Sequence, residues 1–170
     1  MLLNKELVMK ILDWSEARGI LNGKIETQQM KFMSELGEFC DAYIKEDKEA
    51  MIDAIGDMCV VAINGMKLTR PMISKEDYTK DLLHELGRFE TYYYPAYRKK
   101  LHKFTTLDTV SFLSNVFLRT PTREIVFHAL SNLANDVGLP LNRCLELAYD
   151  VIKDRKGKTL ANGNFVKDTQ

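Results

Sequence analysis

The chain lacks three features that would fix its class at once: a long uncharged hydrophobic run, a paired-cysteine spacing and an excess of charge of one sign. Without the first, no segment reads as crossing a bilayer. The opening MLLNKELVMKILDWSEARG has charges inside its apolar pattern and reads as an amphipathic helix, not a signal peptide. Cys40, Cys59 and Cys144 lie far apart in helical patterns, so they read as reduced core or near-core residues of a cytoplasmic protein. His84, His102 and His128 are equally scattered, which gives a zinc site no support. Lys plus Arg and Asp plus Glu number 24 each, so no global field draws the chain towards nucleic acid or anionic lipid. Neither nucleic acid nor a membrane is expected as a partner, and any phosphate chemistry must be built locally.

What is present points to helices. Of the residues, 45% are hydrophobic and 28% charged, enough for one modest core or a core shared with a partner subunit. Leu7, Ile11 and Trp14 at helical spacing predict a first helix over Leu3 to Arg18, ending near Gly19. A second helix is expected from about Glu26 to Ile44 with an apolar stripe of Met33, Leu36, Cys40 and Tyr43, and a third over about Glu49 to Leu68, ended by Pro71. The region 74–103 reads as a further helix with a tyrosine-rich tail (Tyr92, Tyr93, Tyr94, Tyr97), a density suited to a dimer interface or a lid. Leu107 to Leu118 and Arg123 to Asp136 are helical patterns separated by Pro121. A last helix over Leu141 to Lys156 opens at Pro140, carries a core stripe of Leu141, Cys144, Leu145, Ala148 and Ile152, and stops at Gly157. The tail has an Asn-Gly turn and forms a small hairpin or frays. Residues 1–158 therefore read as a single all-α domain, an antiparallel helical bundle with a tyrosine-rich insert, and 159–170 as a C-terminal tail.

The chemistry concentrates between Met33 and Asp57. Stepping about 100° per residue from Met33 puts Glu35 and Glu38 within about 60° of each other, nearly opposite the expected apolar stripe and flanked by Phe32 and Phe39. On the third helix, Ile52, Ile55, Cys59, Ile63 and Met66 form the core stripe, and Asp53, Asp57, Val60 and Asn64 form a second one. An aspartate heading the apolar run Met58 to Val61 is costly to bury unless it meets a cation or hydrogen-bond donors. Two carboxylate pairs on facing helices give a rigid oxygen set for a hard divalent cation, so Glu35, Glu38, Asp53 and Asp57 are candidate metal ligands. A plain solvated acidic face is the competing reading. In the last helix Glu146, Asp150 and Lys153 share a stripe. Lys153, with Arg155 or Lys156, either complements the helix dipole or reaches phosphate oxygens; Arg18 and Lys31 are weaker candidates for that role. The string HELGRF echoes SELGEF, but Arg88 stands where Glu38 stood, so the second copy lacks the carboxylate pair.

These motifs, SELGEF with Glu35 and Glu38 followed by DAIGDM ending at Asp57, resemble the all-alpha nucleoside triphosphate pyrophosphohydrolase superfamily, the MazG-like proteins. That family's mark is a Glu-x-x-Glu helix followed by a Glu-x-x-Asp helix. The closing ELAYDVIKDRKGK is similar to the end of family members that carry an asparagine ahead of a lysine and a basic cluster. The resemblance covers about Leu7 to Met66 and Ser131 to Lys158, with three departures: Ser34 for a frequent glutamate, Ala54 at the family's Glu position, and Asp150 where asparagine is common. Asp53, one place earlier, is the stand-in for the missing ligand. The same loss also fits a weakened second metal position or altered activity.

The resemblance implies a magnesium-dependent enzyme, with manganese as an alternative, that hydrolyses a nucleoside triphosphate to the monophosphate and pyrophosphate. On that reading Glu35, Glu38 and Lys153 are catalytic, and Glu35, Glu38, Asp53 and Asp57 hold the metal. Asn64, Asp150, Arg155 and Lys156 are candidate cofactor-binding residues. It also implies a homodimer or homotetramer. The alternative function is a catalytically silent helical protein that binds a nucleotide or a protein partner.

Overall fold

The computed structural model describes residues 2–88, 104–119 and 125–168. The tyrosine cluster and Pro121 lie outside them. Among the described residues the chain is all-α apart from one small hairpin. The elements are α1 (Lys5–Ala17), α2 (Ile25–Ile44), α3 (Lys48–Leu68), α4 (Lys75–Arg88), α5 (Thr106–Arg119), α6 (Ile125–Asp136), α7 (Leu141–Ile152), β1 (Gly157–Thr159) and β2 (Phe165–Lys167).

Local chemistry sets the helix starts. Asn4 Oδ1 accepts from the backbone N–H groups of Glu6 and Leu7 at 2.8 and 3.2 Å, and Asp47 Oδ1 from Ala50 at 3.1 Å, so each cap satisfies otherwise orphaned donors. Pro140 caps α7, where its missing N–H costs nothing.

The centre of the bundle is α3. From Met58 to Lys67 every residue is buried, the pattern of a helix surrounded by others. It packs against α1, α2, α6 and α7. The chain reverses between Ile44 and Lys48, and Gly65 near the end of α3 sits beside Ile25 and Gln28 at the start of α2, so the two helices run antiparallel. Phe32 of α2 stacks on Phe117 of α5 with ring centroids 4.3 Å apart, and the Tyr78 hydroxyl of α4 donates to the Ile63 carbonyl at 3.0 Å.

The α2 stripe differs from the expected one. Phe32, Leu36 and Phe39 are buried together with Glu35, while Met33 and Cys40 are half-buried and Tyr43 is exposed. Both sets repeat at helical spacing, and burying two phenylalanine rings removes more apolar surface from water than burying Met33 and Tyr43. The helix is therefore rotated so that Glu35 faces inward and Glu38 faces solvent.

The α7 core stripe is as expected, all five residues being buried, but the helix ends at Ile152 rather than at Lys156. Arg18 supplies the reason: its guanidinium donates to the carbonyls of Lys153 and Arg155 at 3.3 and 2.7 Å, drawing the chain out of the helix. The tail is a hairpin and does not fray. Gly157 pairs with Lys167 and Thr159 with Phe165. Gly163 takes φ +85° in the turn and lies against Gly23, a contact neither could make with a side chain. The Asn162 carbonyl accepts from Lys24 N and from Thr27 Oγ1, and the Thr159 hydroxyl donates to the Arg18 carbonyl, so the hairpin is tied to the bundle.

Candidate functional site

A cavity of about 130 Å³ lies among α1, α2, α3, the segment after α7 and the hairpin. From α2 come Gln28, Lys31 and Glu35; from α3, Asp57, Val60, Val61 and Asn64. Because the helices are antiparallel, Glu35 and Asp57 meet at one end, and Gln28 and Asn64 at the other. Trp14, Ile20, Ile152, Arg155 and Phe165 close the walls. Lys31 and Asn164 also line an adjoining groove of about 420 Å³ with Glu26, Thr27, Met30 and Ser34, which gives the cavity an approach from the surface.

Gly56 makes this geometry possible. A Cβ there would collide with the Cys144 carbonyl of α7 and stand 2.7 Å from the Ala148 Cβ, so its absence lets α7 press against α3. That contact carries the end of α7, and with it Arg155, to the neighbourhood of Asp57.

The carboxylates are electrostatically loaded. Burial pushes the Asp57 carboxyl up to about 7, helped by the charges of Glu35 and Asp53 and opposed by Arg155 and Lys31. Burial also raises Glu35, even though Lys31 forms an ion pair with it, and Glu38 and Asp53 add to the rise. Desolvation lowers the Lys31 ammonium, but Glu35, Glu38 and Asp57 outweigh it and leave the group above its ordinary value. The pair therefore leaves negative charge at this end of the cavity less than fully compensated.

Two neutral groups beside the cavity are buried without hydrogen-bond partners, Asn64 Oδ1 and Trp14 Nε1. Such orphans are uncommon in folded proteins. Arg18 lies 4.5 Å over the Trp14 ring and 5.9 Å from that of Phe165, and so fixes the indole against the hairpin.

The other sequence candidates fall outside the cavity. Glu38 and Asp53 are exposed, and they reach Glu35 only through their charges. Ala54 is buried in the core. Lys153 and Asp150 are exposed and pair with each other at 2.8 Å; Asp150 lies two positions, about 200°, from both inward-facing Ala148 and Ile152, and so on the opposite face of the helix. Lys156 is also exposed. Of the basic candidates, Arg155 and the weaker Lys31 line the cavity. Among the described residues, no group of three or more His, Cys, Asp or Glu side chains is arranged to hold a metal ion.

Comparison with protein-family models, curated proteins and solved structures finds no match. Gln28, Asn164 and Phe165 were not singled out in the sequence, and Trp14 reads there as packed core. Gln28 alone carried a signal, since it lies seven residues before Glu35 and hence on the same helical face. The hairpin residues carried none, because their place depends on how the tail folds back. Among the described residues, no helix is long and apolar enough to cross a membrane.

Proposed function

We propose that the protein is a magnesium-dependent nucleoside triphosphate pyrophosphohydrolase whose site is this cavity and its mouth. One observation carries the reading: two carboxylates from antiparallel helices, the buried Glu35 and the half-buried Asp57, share a cavity with Lys31, Arg155 and the unpartnered Asn64. Carboxylates held above their ordinary pKa by burial and mutual repulsion are in the state that a divalent cation relieves. The donor set of hard oxygens fits magnesium better than zinc. Glu35 and Asp57 would hold it, with Glu38 and Asp53 reaching in from the rim.

Bound magnesium would supply charge neutralisation on the phosphate oxygens. The chain's own part is placement. Arg155 offers a fixed fork of donors to the phosphates, and Lys31 can turn from Glu35 towards them, its raised pKa keeping it charged. A rim carboxylate, Glu38, orients a water for in-line attack on the α-phosphorus and takes up the proton it loses. The α–β bridging P–O bond breaks, and pyrophosphate leaves. The cavity is smaller than the several hundred Å³ of pockets that enclose a whole drug-sized ligand. The triphosphate therefore lies at the mouth and along the groove, and a second subunit would complete its enclosure.

The test is pyrophosphate release from a panel of ribo- and deoxynucleoside triphosphates with magnesium or manganese. Activity with some member is expected, and Glu35→Gln should abolish it while the circular dichroism spectrum is retained. No turnover across the panel removes the proposal. A second reading, a nucleotide-binding protein without turnover, draws on Ala54 and on the exposure of Glu38 and Asp53. It expects binding in the same panel with no product.

A further inference from the structure

Arg18 stands at the ends of two helices at once. Neither α1 nor α7 has a basic residue in its last turn, and the Arg18 guanidinium supplies a cation to both. Its Nη1 donates to the Trp14 carbonyl of α1 at 3.4 Å, and its Nη2 to the Lys153 and Arg155 carbonyls beyond α7 at 3.3 and 2.7 Å. The same group lies over the Trp14 ring. Arg18 does not line the cavity, and backbone carbonyls already engage most of its donors.

Arg155 is the reverse case. Its backbone is fixed on both sides, the N–H donating to the Ile152 carbonyl at 2.9 Å and the carbonyl accepting the shorter of the two Arg18 Nη2 bonds. A charged donor makes that bond stronger than a neutral one. Arg155 lines the cavity and its charge acts on Asp57, yet among the described residues no hydrogen bond or ion pair holds its guanidinium. The place of those donors is therefore set by the backbone that carries them. The hairpin that follows is tied to the same point, since the Thr159 hydroxyl donates to the Arg18 carbonyl and Phe165 meets the Trp14 ring edge-on at 5.6 Å.

We infer that Arg18 is a positioning residue for the site: by clamping the chain between α7 and the hairpin, it holds the unpaired Arg155 guanidinium at the cavity to receive phosphate oxygens. Without Arg18 the two carbonyls turn to water, the segment loosens, and Arg155 gives up a preorganised contact. The inference rests on the proposed phosphate chemistry of this cavity, but its test needs no turnover.

The full-length protein is titrated with inorganic pyrophosphate and magnesium by calorimetry, as the parent, Arg18→Ala, Arg155→Ala and the double variant. Each single change should weaken binding at least about tenfold, the effect of losing one charge-assisted contact. The double variant should bind no more than about twofold more weakly than Arg155→Ala, because Arg18 then has nothing left to position. A merely structural role gives equal losses from Arg18→Ala in both backgrounds and overturns the inference. Unchanged affinity in either single variant, or no pyrophosphate binding by the parent, overturns it too. Circular dichroism checks the fold of each variant. If Arg18→Ala does not fold, Arg18→Lys replaces it, keeping the charge but losing the planar fork that grips two carbonyls and the indole. Its loss must likewise vanish without Arg155; parent-like affinity, or equal loss in both backgrounds, overturns the inference. Coupled pyrophosphate binding with no turnover of any triphosphate would leave the clamp standing and remove the hydrolase reading. Turnover with equal losses in the two backgrounds would do the reverse.

Discussion

Lys31 and Glu35 form an ion pair one helical turn apart on α2, yet the lysine side chain is 47% exposed and the glutamate 3%. The carboxylate thus depends on a cation that can leave for water. Replacing it, as in Lys31→Met, strands a buried charge and should cost about 1–3 kcal/mol in metal-free denaturation. If Glu35 is a metal ligand, millimolar magnesium should raise the Tm of this variant more than that of the parent, because the added ion takes over the missing countercharge. Equal shifts in both proteins, or none, would show that Glu35 does not bind the metal.

Asp57 gives a pH dependence of unusual sign. Its folded pKa of about 7 lies above the ordinary 3.8, so between those values the native state keeps a proton that the unfolded chain releases. The stability this confers is fully present below about pH 4 and is lost as the pH rises through 7. The loss is at most roughly 4 kcal/mol. Asp57→Asn should remove this slope, making the metal-free protein more stable than the parent at pH 8 and nearly equal to it at pH 4. Urea midpoints in EDTA at the two pH values measure it, and parallel profiles would refute the half-buried, incompletely compensated carboxylate.

The helices were legible in the sequence because each has a periodic apolar face, and those of α3 and α7 are unambiguous. The rotation of α2 was not, since Phe32–Leu36–Phe39 and Met33–Leu36–Cys40–Tyr43 share the same period and only the neighbours decide between them. Asp57 and Asn64 stood out as polar groups on an apolar helix and do line the cavity. Lys153 shares the stripe of Glu146 and Asp150, but a single step of about 100° beyond Ile152 turns it to solvent. The hairpin wall, with Asn164 and Phe165, depends on long-range docking against Arg18, Gly23 and Thr27, which no local pattern encodes.

His128 on α6 titrates in the opposite sense. Burial depresses it to about 4, so it stays neutral in the fold while the unfolded chain takes up a proton below its ordinary 6.5. Its contribution is present above about pH 6.5 and is lost as the pH falls through 4, by up to roughly 3 kcal/mol. In the parent this opposes the Asp57 slope and hides it in part. An Asp57→Asn background should therefore show stability rising from pH 4 to 6.5, and adding His128→Gln should flatten the rise whatever its effect on the absolute level. A slope that survives the second change would assign the effect to another group.

Gly37 and Gly56 sit in similar patterns, ELGEF and AIGDM, each with an aliphatic residue before the glycine and an acid after it, inside a helix. Packing separates them. A Cβ at Gly37 meets nothing within 4 Å, so Gly37→Ala should stabilise the protein by roughly 0.5–1 kcal/mol through reduced unfolded-state entropy. The same gain is available at Gly56, but there the new methyl strikes the Cys144 backbone carbonyl, which no rotamer change can move aside. The helices must part instead, at a typical cost of about 1–3 kcal/mol, so the net effect of Gly56→Ala is destabilising. Parting α3 from α7 also draws Arg155 away from Asp57, so Gly56→Ala should weaken magnesium-dependent nucleotide binding while Gly37→Ala leaves it unchanged. Thermal melts and binding isotherms on the two variants measure both effects, and a stabilising Gly56→Ala would contradict the close approach of α3 and α7 on which the cavity depends.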